Sequence, residues 1–419
     1  MLSIANTDTD SPDQMSFSSS AATTISGNAD ILTEILFRTP VKSLLRFKCV
    51  SKLWLSLISS PHFSLLHTLR NPNSKPSALF LRKTPSLTGT AESEFVFDFV
   101  SLNSNNILSG APFRALNFAD DPSGIKILQS CNGLLLCSSF RRIIGKTTRN
   151  YYLYNPTTKQ YSTLPPPGDG GGGGRESSNV FGVSLAFDPS KSPHYKVICI
   201  RSAVTSIYYY RIDIYSSETR SWRQSGNPFT TSFDMVLTDG VFWNGSIHWI
   251  SPSGASLRFD VDLECLGTMP VIPGSRVWGE RRYRYFGESN GHLHLIEIYG
   301  TRTTQFEVFE MERDYSKWFV KYRVDLDDIV TAFPQMVRSY LDTRDMNYYA
   351  FSILSLFREE NEGQSVLVFH VPGKIVSYNF KDNTFKELRD LAPGKINKKG
   401  SLQFGCFDAN IYIESLACV

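Results

Sequence analysis

Five times after residue 150 the chain repeats one short unit. An apolar run ends in an aromatic, a polar turn follows, and a second large side chain opens the return. The copies are "YNPTTKQY" (Tyr154 to Tyr161), "YSSETRSW" (Tyr215 to Trp222), "FDVDLECL" (Phe259 to Leu266), "FEMERDYSKW" (Phe309 to Trp318) and "YNFKDNTF" (Tyr378 to Phe385). The flanking residues are seven apart in four copies and nine apart in the copy at Phe309. Successive copies start 61, 44, 50 and 69 residues apart, at Tyr154, Tyr215, Phe259, Phe309 and Tyr378. Those spacings match the roughly 40–50 residues of a propeller blade with insertions. Asn-Gly and Asp-Gly pairs precede several copies, in "CNGLLLC", "TDGVFWNGSIHWI" and "SNGHLHLI". Asn-Gly supplies the two positive φ angles that a two-residue hairpin needs.

Helical periodicity nearly vanishes beyond residue 70. The expected fold is therefore mainly β, a propeller of about six four-stranded blades over residues 78–419. "SALFLRKT" and "EFVFDFVSL" would share a blade with "LQFGCFDANIYIESL" from the far end of the sequence. Closing the ring in this way leaves no long exposed edge strand. A sandwich or two smaller β domains is the alternative.

The front of the chain is different. Leu32, Ile35 and Leu36 form an i, i+3, i+4 stripe, and Val41, Leu44 and Leu45 form a second. Thr39 before Pro40 reads as an N-cap followed by proline at the first helical position, where its missing N–H costs nothing. Ser51 caps a third run carrying Trp54, Leu57 and Ile58. Three short helices are expected over 28–69, followed by a linker at 70–77. Units below about 40 residues rarely stand alone. Either these helices pack on the β domain or another chain covers them.

"DILTEILFRTPVKSLLRFKCVSKLWLSLISSPHF" resembles an F-box, above all the plant form with its Pro-Val-Lys-Ser-Leu-Leu-Arg-Phe, Cys-Val-Ser-Lys and Trp positions. "SCNGLLLC", "YLYNPTTKQY", "LAFDPSKSPHYKVI", "IYSSETRSW", "FWNGSIHWI" and "HLHLIEI" resemble the F-box-associated, kelch-like propeller domain of plant F-box proteins. The resemblance implies a non-catalytic substrate-recognition subunit of an SCF-type (Skp1–cullin–F-box) E3 ubiquitin ligase. Its partners would be a Skp1-like adaptor, through it a cullin, and an unknown protein target. Ile35, Leu36, Pro40, Leu44, Leu45, Val50 and Trp54 stand at the matching positions, some facing the adaptor and others the F-box core. Gly27-Asn28 replaces the family's opening Leu-Pro, which removes apolar contact at the expected adaptor edge.

Composition bounds the remaining classes. Forty-three basic against 40 acidic residues give a net charge of +3, too small to imply a nucleic-acid or membrane partner. No run reaches the ~18 apolar residues of a membrane span. Residues 1–27 are polar, carry no apolar signal core, and read as a disordered lead. Seven scattered cysteines without metal-like spacing fit a reducing interior, cytoplasmic or nuclear.

Several fragments resemble chemistry without completing it. Gly168, Gly170 and Gly173 spell Gly-x-Gly-x-x-Gly, but they follow three prolines in a loop at 165–178 and precede no helix. His292 and His294 share a strand face, and no third metal ligand is evident nearby. Asp260 and Asp262 fall in a repeat's turn. No cofactor is expected. One mixed cluster, "SRVWGERRYRYFG", joins Arg281, Arg282 and Tyr283, and "FRRIIGKTTR" carries Arg141 and Arg142. Such Arg/aromatic mixtures suit acidic peptide or RNA, so these five residues are the candidate target-binding face. The competing reading is a propeller enzyme, or a carbohydrate- or RNA-binding module, with the helices as a mere cap.

Overall fold

The computed structural model describes residues 28–72, 75–83, 95–102, 111–119, 124–143, 146–167, 179–203, 206–251, 255–272, 281–299, 303–360, 362–391 and 401–419. The lead at 1–27 and the glycine run from Gly168 lie outside them.

Among the described residues four helices come first: α1 (Ala29–Phe37), α2 (Val41–Phe47), α3 (Lys52–Ile58) and α4 (Pro61–Arg70). The fourth was not expected. It begins on Pro61, and its polar Ser, His and Thr residues dilute the apolar stripe. Ser51 caps α3 as expected, its Oγ accepting from the Trp54 N–H at 3.2 Å. Thr39 does not cap α2. Pro40 takes that position, and the Thr39 hydroxyl donates back to the Ile35 carbonyl at the end of α1. Asn28 caps α1, its Oδ1 accepting from Asp30 N at 3.0 Å.

The strands form six antiparallel sheets around a ring. The closing blade holds β1 (Ala78–Arg82), β2 (Phe97–Ser101) and β23 (Ala409–Tyr412). The first full blade is β3 (Ile125–Cys131), β4 (Leu134–Ile143), β5 (Lys146–Asn155) and β6 (Gln160–Leu164). The second is β7 (Val180–Ala186), β8 (Lys196–Ala203), β9 (Ser206–Ser216) and β10 (Ser221–Phe229). The third is β11 (Val241–Trp243), β12 (Ser246–Trp249), β13 (Leu257–Asp260) and β14 (Cys265–Thr268). The fourth is β15 (Arg281–Ser289), β16 (His292–Tyr299), β17 (Gln305–Met311) and β18 (Trp318–Asp325). The fifth is β19 (Ser352–Phe357), β20 (Val366–Val371), β21 (Lys374–Asn379) and β22 (Phe385–Asp390). A short α5 (Asp327–Ala332) joins the last two.

Ring closure follows the expectation: β23 pairs with β1 in the register Ala78 to Tyr412. The closing blade has three strands among the described residues, against the expected four.

The repeated sequence unit is the outer hairpin of each full blade. Tyr154 lies opposite Tyr161, Tyr215 opposite Trp222, Phe259 opposite Leu266 and Tyr378 opposite Phe385. In the fourth blade the partner of Trp318 is Met311, not Phe309, which restores the seven-residue offset. A sequence search keyed to aromatics passes over that methionine. Four of the turns also share a left-handed residue two positions before the return partner: Lys159, Arg220, Glu264 and Asn383. Asn155, Asp260 and Asn379 open their turns by accepting backbone N–H bonds two residues on, which offsets this strain.

Asn132-Gly133, Asn244-Gly245 and Asn290-Gly291 all have both φ angles positive, as hairpin turns between each blade's first two strands. Asp239-Gly240 is not such a turn. It leads into β11, where a Cβ on Gly240 would lie 2.3 Å from the Ser184 Oγ.

Candidate partner-binding surfaces

The helices build a core from Leu32, Leu36, Phe37, Leu44, Ile58 and Phe63, all buried. Phe37 stacks on Phe63 at 4.9 Å, and Trp54 meets Phe47 edge-on at 5.3 Å. Arg70 forks onto both Glu34 carboxylate oxygens, at 3.1 and 2.9 Å, tying α4 to α1. Within this unit the seven sequence-derived adaptor positions separate. Leu36 and Leu44 are completely buried, so they serve the helical core. Leu45 and Trp54 are half-buried against it. Pro40 is exposed, Ile35 is 47% exposed and Val50 60%. Ile31, Leu53, Leu55 and Leu69 are also exposed, and the motif comparison does not single them out. They are apolar like the core residues beside them, so only the packing distinguishes the two sets.

Strand alternation gives the ring two unlike ends. Every innermost strand runs the same way, so the turns after β3, β11 and β15 share an end with the exit of β23. Contacts across blades confirm this: Asn132 donates to the Phe187 carbonyl at 2.7 Å, and Trp243 donates to the Gly291 carbonyl at 2.8 Å. The helices sit at this end, because residues 75–77 enter β1 there and Lys42 pairs with Glu414 just beyond β23, at 2.7 Å. The other end carries the β4–β5 hairpin and the start of β15. It is fastened by contacts such as Arg82 with Asp408 and Asn179 N with the Ser202 hydroxyl.

Arg141 and Arg142 end β4, and Arg281, Arg282 and Tyr283 begin β15. The backbone therefore places both groups at the end of the ring remote from the helices, in blades three steps apart. Their side chains lie outside the described residues. Exposed aromatics occupy the same end: Tyr209 near the start of β9, Phe233 before β11, Tyr340 before β19 and Phe407 before β23. Phe233 is 95% exposed, the most exposed of the four. Sequence reasoning missed these four, because exposure is set by which loop meets which blade.

The axial channel holds a cavity of about 200 Å³ lined by Gln129, Asp239, Tyr285, Ser355 and Phe407. A larger one, about 570 Å³, opens at the helical end between Lys75, Asn132, Glu288, Arg358 and Glu359. Lys75 is paired with Glu359, and Arg358 reaches Glu310 at 3.3 Å. His292 and His294 do share a face, and both meet Glu310, at 2.8 and 3.3 Å. Burial alone would raise the Glu310 carboxyl, but its close contacts with the two histidines outweigh it and hold it well below its usual range. Burial keeps His294 below its ordinary value. The group reads as a paired buried charge. Among the described residues no cluster of three His, Cys, Asp or Glu side chains is arranged to hold a metal. Asp260 lies at its turn, accepting from the Asp262 and Leu263 N–H groups.

Cys131, Cys137 and Cys199 are buried and unbridged, and burial pushes the Cys131 thiol up to about 12. No helix among the described residues is long and apolar enough to cross a membrane.

A small helical unit on one end of a six-bladed ring is the architecture of a propeller-bearing F-box protein. Residues 29–66 match the F-box domain family, and residues 99–331 match the KIB1-4 β-propeller family. F-box protein At5g07610 of Arabidopsis thaliana is 36% identical over 426 residues, covering 96% of this chain and 95% of the relative. F-box protein At5g49610 is 30% identical, over 64% of this chain and 71% of its own length. F-box/kelch-repeat protein At3g23880 is 26% identical, over 54% and 59%. The chain belongs to the plant F-box proteins with a C-terminal β-propeller.

Proposed function

We propose that this chain is the substrate-recognition subunit of an SCF-type E3 ubiquitin ligase. The helices dock on a Skp1-like adaptor, which links them to a cullin, and the propeller holds a protein target at the end remote from the helices. No reaction occurs on this chain. Tethering would raise the effective concentration of a target lysine near a ubiquitin-charged E2, turning an encounter between molecules into an intramolecular one. A cytoplasmic or nuclear location follows from that role.

The observation that carries this reading is the helical unit itself. It has a filled core, yet it leaves Ile31, Ile35, Val50, Leu53 and Leu55 in water. At roughly 25 cal/mol per Å² of apolar surface, covering such a set stabilises a complex by several kcal/mol. The adaptor edge would centre on Ile35, Pro40 and Val50, flanked by Leu45 and Trp54, with Leu36 and Leu44 supporting it from beneath. The remote end, with Tyr209, Phe233, Tyr340 and Phe407 beside the Arg141–Arg142 and Arg281–Tyr283 segments, is the target face.

Co-purification of the full chain with a plant Skp1-like protein tests the first part. A 1:1 complex that Ile35→Asp/Val50→Asp loses, while circular dichroism is unchanged, supports the reading. A well-behaved chain that never binds the adaptor would sink it. For the second part, Arg281→Glu/Arg282→Glu should weaken binding to an identified target. Undiminished binding would remove those residues from the target face.

A further inference from the structure

Beyond β23 the chain continues as a two-sided strip. Ser415, Ala417 and Val419 go to the propeller. The Asn155 carboxamide donates to the Ser415 and Ala417 carbonyls at 3.0 and 2.8 Å, and Ser415 N donates to the Thr157 hydroxyl at 3.2 Å. Ala417 and Val419 pack among Leu134, Leu153, Tyr215 and Trp222. The intervening residues go the other way. Glu414 pairs with Lys42, Leu416 is buried in the core of the helical unit, and the Cys418 thiol lies 3.9 Å from the Ser59 carbonyl. This is the period-two alternation of extended chain, used here to join two bodies. The fit is close. A Cβ on Gly133 would lie 2.4 Å from that of Ser415.

We infer that residues 414–418 form an interlock that completes the helical core and fixes its orientation on the propeller. The adaptor-type unit is then not autonomous. Its integrity depends on a side chain more than 340 positions away, Leu416, and its placement depends on Asn155 at a repeat's turn. Asn155 suits this task because its Oδ1 already accepts from Thr157 and Thr158, which aims the amide group outward at the strip. A rigid joint keeps the adaptor and target faces at opposite ends of one body. The inference rests on contacts within this chain and stands whether or not the adaptor reading does.

Hydrogen exchange and thiol labelling of the full chain, each read by mass spectrometry, test it. In Leu416→Ala the amides of α1 to α3 should exchange about tenfold faster or more, as expected for emptying a buried leucine site. The strands of the second to fifth blades should be unchanged. Cys418 should label faster, while exposed Cys265 serves as an unaltered internal standard. The milder Leu416→Val should move the same amides the same way by about threefold, which covers the case of a poorly folding alanine variant. Helical amides and Cys418 behaving as in the parent chain would overturn the interlock. So would equal acceleration of helices and blades, because the strip would then be ordinary propeller core.

Discussion

The indole nitrogen of Trp222 donates to the carbonyl oxygen of Pro165 at 2.7 Å, joining the return strand of one blade's outer hairpin to the end of the blade before it. Trp318 makes the same bond to Pro270 at 3.1 Å, two blades further round. Recurring at equivalent positions, the bond is a clasp between blades, and it accounts for tryptophan closing two of the five repeats. Trp222 and Trp318 are both buried. Trp222→Phe keeps most of the apolar contact and abandons the Pro165 carbonyl, so a loss of about 1–3 kcal/mol is expected. Trp222→Ala should cost about 3–5 kcal/mol. Urea unfolding of both variants measures this, and equal losses would mean that packing alone matters.

Burial and exposure within the helical unit predict opposite behaviours for neighbouring residues. Leu44→Ala empties a fully buried site and should lower stability by about 2–5 kcal/mol. Ile35→Asp and Val50→Asp sit in water and should change it by only about 0.5 kcal/mol. Adaptor binding should fall in all three, but in Leu44→Ala only in step with helix unfolding. Thermal melts run beside the binding assay separate the two causes.

Stability should decline below neutral pH. Burial pushes both His248 and His370 down to about 4, against an unfolded value near 6.5. Above pH ~6.5 both states are neutral at these positions and nothing is gained or lost. Between pH ~6.5 and ~4 the unfolded chain takes up the proton and the folded chain does not, so stability falls as pH falls. Each site should contribute on the order of 2 kcal/mol of loss by pH 5. His248 sits with its Nε2 3.0 Å from the Tyr315 hydroxyl and its Nδ1 3.2 Å from the Val241 carbonyl. His248→Gln should shrink the difference between urea midpoints at pH 7 and pH 5. An undiminished difference would assign the effect elsewhere.

Two glycines should respond to alanine for different reasons. A Cβ on Gly182 would lie 1.9 Å from the Leu237 carbonyl oxygen, a backbone atom that cannot step aside. Gly245 has open space around it but a φ of +76°. Gly182→Ala should therefore cost about 3 kcal/mol, at the upper end for overpacking. Gly245→Ala pays only the left-handed penalty of about 1–2 kcal/mol. Chemical denaturation of the pair checks the order, and a reversed ranking would mean that the β7 contact relaxes freely.

What the sequence determined by itself was local. The seven-residue spacing of Tyr154 and Tyr161, the Asn-Gly turns and the Ser51 cap depend on residues within about ten positions of one another, so their geometry can be read directly from the chain. The ring followed because five such hairpins with open faces must stack to bury them. The family resemblance was legible for the same reason, since its motifs are short and contiguous. Tertiary structure decided the rest. It set Leu36 and Leu44 inside while Ile35 and Val50 stayed in water, and brought Arg141 and Arg281 to one end of the ring. It also carried Leu416 into a core built from residues 32–63. Each of these depends on contacts between segments tens to hundreds of residues apart. No local pattern encodes them, because an apolar side chain at helical spacing looks the same whether its own chain or another protein covers it.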